Sequence, residues 1–375
     1  MKTSFSALPA PERLGRYVLF HEIGRGGMGT VYLARTRSSV RGYRGLVALK
    51  RLHAHQAGDE PIRRMFLDEV RLTSQLSHPN TAPAVDFGEE GDTVWLTMPL
   101  VLGESLDRVI DALRNADPAL RVRLAELTAH ILVDACEGLH AAHELRDDED
   151  RLLEVVHRDV TPRNVIVGYD GVTRVIDFGI ASALHRLHRT GTGELKGTPA
   201  YAAPEHIQGL AVDRRADVWS LGVLGWELCT GRRLFAGSEP AQVLDRVLHA
   251  AIEGPRERDP NIPLGLDEAL LKALNRDRER RYTTARDMGR ELLLFLSEQQ
   301  TSVGAADVAD CMEALFPGEH AARRKLLGEV RTRELPKGES SSRSKKRGLS
   351  QPWQLLSSAA LGGLGALALR WLLGR

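Results

Sequence analysis

The segment Gly24-Arg25-Gly26-Gly27-Met28-Gly29-Thr30-Val31 has the spacing GxGxxGxV. Glycine lacks a Cβ, so a backbone built from it can come close to phosphate oxygens and present its N–H groups to them. The pattern alone is weak, because GxGxxG also opens dinucleotide-binding βαβ units, with a helix directly after and an acid about 20 residues on. Here Thr30-Val31-Tyr32-Leu33 is β-branched and aromatic, so the glycines join two strands. A plain glycine-rich hairpin remains the competing reading at this point. Val47-Ala48-Leu49-Lys50 adds context, since a lysine at the end of an apolar strand can point its ammonium into a cleft. It needs an anionic partner, and Glu69 is the candidate, on the helical pattern from Arg63 to Leu76. Such a pair would hold Lys50 against the α- and β-phosphates of a nucleotide. For Lys50 taken alone, a solvated edge-strand lysine is the alternative.

Further along, His157-Arg158-Asp159-Val160-Thr161-Pro162-Arg163-Asn164 fits H-R-D-x-x-x-x-N, Asp177-Phe178-Gly179 follows, and Ala203-Pro204-Glu205 closes the region. With the glycine loop and Lys50, this set resembles the signature of bacterial, eukaryotic-like Ser/Thr protein kinases over about Tyr17 to Leu296. The resemblance implies an α+β, bilobal fold with a small β-rich N-lobe and a larger helical C-lobe. It implies ATP as phosphoryl donor, Mg²⁺ (with Mn²⁺ as the alternative) and protein hydroxyls as acceptors. By the same resemblance, Asp159 takes the proton of the acceptor hydroxyl, while Asn164 and Asp177 are hard oxygen ligands for the metal. Ile23, Gly24, Gly26, Gly27, Gly29, Val31, Ala48, Lys50 and Glu69 would surround the nucleotide. In Thr97-Met98-Pro99-Leu100-Val101, which aligns with the hinge, Met98 stands behind adenine and Pro99 and Val101 offer backbone groups. Proline lacks the N–H but keeps its carbonyl, so Pro99 does no harm there. Asp217 is expected to brace the catalytic loop, and Arg281 to pair with Glu205.

Two features bear on the acceptor and on control. Ser/Thr kinases usually carry lysine two residues after the catalytic aspartate, but Thr161 stands there. Arg163, where some tyrosine kinases place an arginine, is expected to supply the missing positive charge. Gly197-Thr198-Pro199-Ala200-Tyr201 resembles the Ser/Thr-kinase form, with Thr198 near Asp159. Thr190 and Thr192 are candidate autophosphorylation sites, whose phosphates would pair with Arg158. The rival to an active enzyme is a pseudokinase scaffold that binds nucleotide without turnover, and Thr161 is the one feature that favours it.

These residues need elements to hold them. Val18–Phe20, Val31–Ala34, Leu46–Leu49, Ala84–Phe87 and Val94–Met98 read as strands, the first three in an antiparallel sheet. Leu124–His143 is a long helical pattern, short strands surround His157–Asp177, and helices dominate from Val218 to Leu296. Leu145–Glu154, rich in Asp, Glu and Arg, reads as a solvated hairpin or loop, with partner docking as the lesser reading. The resulting division is a flexible leader at 1–15, N-lobe and hinge at 16–101, C-lobe at 102–296 and a helical appendage at 297–330. A basic Ser/Pro linker at 331–352 and a candidate transmembrane helix at 353–373 follow.

Composition sets the outer limits. The chain has 375 residues, 42% hydrophobic and 27% charged, with a formal charge of +1, which excludes wholesale disorder and gives no reason to expect nucleic acid as a partner. The charge is uneven: residues 336–375 hold seven Lys/Arg and one Glu, leaving the rest at −5. Cys136, Cys229 and Cys311 are far apart and outside any CxxC spacing, so neither a disulfide framework nor a zinc site is supported. Trp353–Leu369 is an uncharged run of 17 residues, at the short end of what spans a bilayer. With the basic cluster Arg343–Arg347 before it, the expectation is a cytoplasmic kinase domain anchored to the bacterial inner membrane. Protein substrates are the expected partners, and a homodimer is left open.

Overall fold

The computed structural model describes residues 6–26, 29–37, 45–53, 57–60, 63, 66–67, 70, 73–117, 120, 123–178, 199–299 and 303–334. Residues 1–334 form one compact unit, and 335–375 a second that lies outside the described residues.

The N-lobe is a six-stranded antiparallel sheet of order β1-β2-β3-β4-β6-β5. Its strands are β1 (Ser6–Leu14), β2 (Tyr17–Arg25), β3 (Gly29–Thr36), β4 (Leu46–Leu52), β5 (Asp86–Glu90) and β6 (Thr93–Pro99). Side chains alternate between its faces. Val47, Leu49 and Trp95 pack on one side with Leu14, Tyr17, Leu19 and Tyr32. Ala48, Leu52, Leu96 and Met98 pack on the other with Phe66 and Val70. The second face is covered by the segment 57–73, whose residues 57, 60, 63, 66, 67, 70 and 73 are helical. Lys50 has the parity of Ala48 and Leu52, so alternation alone sends its ammonium to this covered face.

The leader expected to be flexible is instead strand β1 from Ser6 onward. Pro9 and Pro11 read as breakers, but an edge strand has one side without ladder partners and tolerates them. Both fall between Ala7 and Glu12, where the pairing register shifts. Leu14 is buried and Leu8 packs against the cluster containing Tyr17 and Trp95.

The C-lobe holds a three-stranded sheet of β7 (Gly103–Ser105), β8 (Val165–Gly168) and β9 (Thr173–Val175). Its longer described helices are α1 (Leu106–Arg114), α2 (Leu124–His143), α3 (Arg215–Thr230), α4 (Pro240–His249), α5 (Leu264–Ala273) and α6 (Ala285–Glu298). The pattern seen at Leu124–His143 is α2, with Leu127, Ile131, Leu132, Ala135 and Leu139 all buried. It is the central post of the lobe, packed against α3, α6 and β9. At the start of α6, Thr284 accepts from Asp287 N–H while the Asp287 carboxylate accepts from Thr284 N–H, a reciprocal cap. Two further helices, α7 (Ala305–Leu315) and α8 (Glu319–Thr332), follow: α7 packs on the core of the C-lobe through Val308 and Met312, and α8 meets it through Arg323 on Gly103 O and His320 on Tyr169. The contact is close: a Cβ at Gly171, φ +76°, would sit 1.7 Å from the Ala305 carbonyl oxygen.

The Leu145–Glu154 stretch is a small hairpin. Leu153 N–H donates to Leu145 O at 2.8 Å, and Asp147 accepts from Arg151 N–H and from its guanidinium.

Candidate active site

The glycine loop joins β2 to β3, as the β-branched residues after it require. Gly24 lies opposite Val31 and Arg25 opposite Thr30, and Gly26 N–H donates to Gly29 O at 2.9 Å. Gly27 lies outside the described residues. The glycines are not equivalent. A Cβ on Gly24 or Gly26 would meet nothing nearer than 3.8 Å, so these two leave open space above the sheet. A Cβ on Gly29 would lie 2.3 Å from Arg51 O, so that glycine is demanded by the neighbouring strand.

Beneath the loop, Ile23 and Val31 pack with Ala48, Met98 and Leu100 in one apolar cluster. Ala48 pairs with Met98 and Val47 with Pro99 across β4 and β6. Val101 follows at the crossing to the C-lobe and is half-buried. These residues form an apolar shelf beside a backbone edge, which suits a flat heteroaromatic ring. Leu100 belongs to the shelf although no motif singles it out. Behind Met98 lies a cavity of about 20 Å³, room for roughly one water, bounded by Val70, Thr73, Ala82, Ala84, Leu96, Asp177 and Phe178.

Lys50 is buried, and its Nζ lies 2.8 Å from Asp177 Oδ2. Asp177 is thus its partner in this structure, while Glu69 lies outside the described residues. The other oxygen, Asp177 Oδ1, is buried without a hydrogen-bond partner. A buried carboxylate oxygen left bare is costly, and a cation there would relieve it. Asp177 also holds φ +57°, a left-handed conformation unusual for a residue with a side chain. Arg158 is a second such residue, at φ +63°. Strain of this kind persists where surrounding contacts over-determine the backbone, and it clusters at functional sites.

Those contacts are visible. Ile176 N–H donates to Asn164 O at 2.9 Å, and His157 Nε2 lies 3.0 Å from Ile176 O. The His157 ring rests on Phe178 with centroids 4.8 Å apart. Asn164 turns its amide nitrogen to Asp159, reaching the backbone oxygen at 2.9 Å and Oδ2 at 3.0 Å. That orientation gives its amide oxygen to other partners. Lys50, Asp177, Asn164 and Asp159 therefore form one linked chain of groups. Below it, fully buried Asp217 accepts from His157 N–H and Arg158 N–H, both at 2.8 Å, and contacts His143 Nε2 at 2.7 Å. Burial would raise the Asp217 carboxyl, but His143 and His157 outweigh it and hold the group below its ordinary value.

Arg163 is exposed; the pKa of Arg233 is lowered first by burial, then by Arg114 and, among smaller influences, by Arg163. Thr161 is buried, and its carbonyl caps Asn164 N–H at 2.9 Å. Thr190, Thr192 and Thr198 lie outside the described residues. Beyond them, Glu205 is gripped by Arg281 through two bonds of 2.7 and 2.8 Å, as the motifs implied.

Among the described residues no cluster of three or more His, Cys, Asp or Glu could cage a metal. A Mg²⁺ site needs no such cage, because that ion is commonly held by one or two carboxylates together with substrate phosphates and water. Asp177 Oδ1 and the Asn164 amide oxygen fit that donor set.

The protein kinase domain matches residues 17–292. MasK, a tyrosine-protein kinase of Myxococcus xanthus, is 34% identical over 330 residues, covering 88% of this chain and 50% of MasK. The serine/threonine-protein kinase PknB of Mycobacterium leprae is 32% identical over 294 residues, covering 77% of this chain and 44% of PknB. The chain thus spans about half the length of the curated relatives it matches. Among solved structures, the PknI kinase domain of Mycobacterium tuberculosis superposes with a TM-score of 0.56 at 25% identity, covering 77% of this chain and 99% of that one. The glycine loop, the buried lysine and the Asp159–Asn164–Asp177 constellation therefore stand in a chain that belongs to the protein kinase family.

Proposed function

We propose that the chain is an ATP-dependent serine/threonine protein kinase that moves the γ-phosphoryl group of Mg-ATP to a protein hydroxyl. The observation that carries this is Asp177, with one oxygen on Lys50 and the other buried and bare, directly after Ile176, whose N–H donates to the backbone oxygen of Asn164, the residue that holds Asp159. Asp177 and Asn164 would hold Mg²⁺, which when bound would supply charge neutralisation for the phosphates. Lys50 would hold the α- and β-phosphates once Asp177 turns to the metal. Asn164 would complete the metal's protein ligands while its nitrogen fixes the Asp159 carboxylate. Asp159 would orient the acceptor hydroxyl and take its proton as the phosphoryl group transfers. Ile23, Val31, Ala48 and Met98 would enclose adenine, with backbone groups of Pro99 and Val101 at its edge. An assembled set of this kind argues against a scaffold without turnover.

Acceptor choice rests on Gly197–Tyr201, and the name of MasK supplies a specific second reading, tyrosine. Phosphoamino-acid analysis after incubation with labelled Mg-ATP separates them: phosphoserine or phosphothreonine supports the first, phosphotyrosine alone the second. Arg163 remains the proposed source of the positive charge absent at Thr161. Thr190 and Thr192 remain proposed autophosphorylation sites, to be read by mass spectrometry of ATP-treated protein. The candidate anchor at 353–373 lies outside the described residues, and among those described no helix is long and apolar enough to cross a membrane. A cytoplasmic kinase domain held at the inner membrane is therefore proposed from sequence alone. Recovery of the full chain in the membrane pellet of a lysate supports it, and recovery in the supernatant opposes it.

A further inference from the structure

Helix α8 touches both lobes. Near its start, Arg323 is buried; its Nη1 donates to Gly103 O at 2.5 Å and its Nη2 pairs with Glu104. Glu104 is buried too, accepts from Tyr169 Oη at 2.6 Å, and pairs with Arg108. His320 stacks on the Tyr169 ring, centroids 4.8 Å apart and planes within 9°. Gly103 and Glu104 come directly after the hinge. At the other end of the helix, Arg35 reaches over from β3. Its Nη1 donates to Val330 O at 2.6 Å and to Arg331 O, and its Nη2 to Arg333 O at 2.5 Å. The last carbonyls of a helix lack internal donors and carry the negative end of its dipole, so a guanidinium is well suited to close them. Arg35 and Arg333 both lie over the Phe20 ring of β2, at 5.6 and 5.9 Å.

We propose that α8 is a strut fastening the two lobes behind the hinge, with Arg35 as the positioning residue that ties it to the nucleotide-binding strands. The proposal rests on the kinase reading. β3 carries Gly29 at one end and Arg35 near the other, six residues apart, about 20 Å of strand. Rocking the N-lobe open would move the Arg35 end relative to Gly103–Glu104, and the strut resists this. The stance it favours is the one in which Lys50 of the N-lobe meets Asp177 of the C-lobe. Loosening it lowers the fraction of molecules in the binding-competent stance, and apparent affinity falls by that fraction.

The test uses the full chain with Arg35→Ala and Arg35→Lys. Hydrogen exchange is followed at 319–332 and 98–105, and Mg-ADP affinity by calorimetry. Arg35→Ala is expected to speed exchange in both segments and weaken Mg-ADP about three- to ten-fold, with the melting transition still cooperative. Arg35→Lys, which keeps the charge but lacks the planar fork that places donors on two separate nitrogens, should fall between. Unchanged exchange at 319–332 overturns the clamp, and faster exchange with unchanged or tighter Mg-ADP binding overturns the positioning role. If the unaltered protein binds no Mg-ADP, the kinase reading is what has failed. The strut is then decided by exchange at 98–105, where faster exchange supports it and unchanged exchange refutes it.

Discussion

The two oxygens of Asp177 have different surroundings, and the difference gives the site its chemistry. Oδ2 is neutralised by Lys50, whereas Oδ1 is buried and bare. An Asp177→Asn protein keeps the shape but loses the charge that a divalent ion needs. We expect its nucleotide affinity to lose the Mg²⁺ dependence seen in the unaltered protein, as measured by titration with and without the metal. An unchanged metal dependence would place the ion elsewhere. Lys50→Met should lower phosphoryl transfer about 10²–10³-fold, the usual cost of removing one charge-stabilising donor, as read by initial rates at saturating Mg-ATP. The residues proposed for these roles stood out in the sequence because each motif fixes a residue type that the chemistry demands. The Lys50–Asp177 contact was not legible, since spacing does not tell that two side chains 127 positions apart in sequence meet across the cleft. Gly29 shows the same limit. Sequence suggests a phosphate loop for every glycine in it, while the reason for this one is the Arg51 carbonyl, 2.3 Å from where a Cβ would stand.

At the scale of the element, the catalytic loop is held from below. Asp217 sits on α3 and accepts from two consecutive backbone N–H groups of the loop, stabilising the left-handed turn at Arg158. In Asp217→Asn, either orientation of the amide leaves one of those N–H groups facing an NH₂. The cost is about 1–3 kcal/mol, with a fall in kcat larger than the change in nucleotide affinity. The pH dependence follows from the lowered pKa of Asp217. Its ionised form contributes stability above the unfolded value of about 3.9, and that contribution is lost as pH falls through the lower folded value. The stability gap between the two proteins, from urea midpoints, should therefore be flat above about pH 5 and narrow on acidification. A gap that widens in acid would contradict this. Arg281→Ala leaves the buried Glu205 carboxylate uncompensated and should destabilise the fold by about 3–5 kcal/mol. Arg281→Lys should recover only part, because lysine cannot reproduce the forked pair together with the bonds to Asn275 O and Arg276 O.

Across the whole molecule, periodicity predicted well where one strong pattern repeated. The apolar spacing of Leu124–His143 became α2 because a helix buried on most sides needs it. The strands around Lys50 emerged as short apolar runs between glycine-rich turns, because a sheet covered on both faces buries successive side chains. β1 was hidden because Pro9 and Pro11 announce a loop, and only a neighbouring edge with unpaired backbone groups turns that segment into a strand. The contacts of α7 and α8 were hidden for a related reason: amphipathic spacing at Val308, Met312 and Phe316 tells that a face is buried, not which surface buries it. Arg35 and Arg323 lie 288 positions apart in sequence, and their joint hold on α8 exists only in three dimensions.

The central claim is that this cleft performs phosphoryl transfer with Asp159 as the group that receives the proton. The measurement that tests it most directly pairs label transfer from Mg-[γ-³²P]ATP with Mg-ATP binding, for the full chain and for Asp159→Asn. Transfer by the unaltered protein is expected, with a loss of about 10²–10⁴-fold in the variant and binding nearly the same in both. Equal transfer by the two proteins, or tight binding with no transfer by the unaltered one, would contradict it.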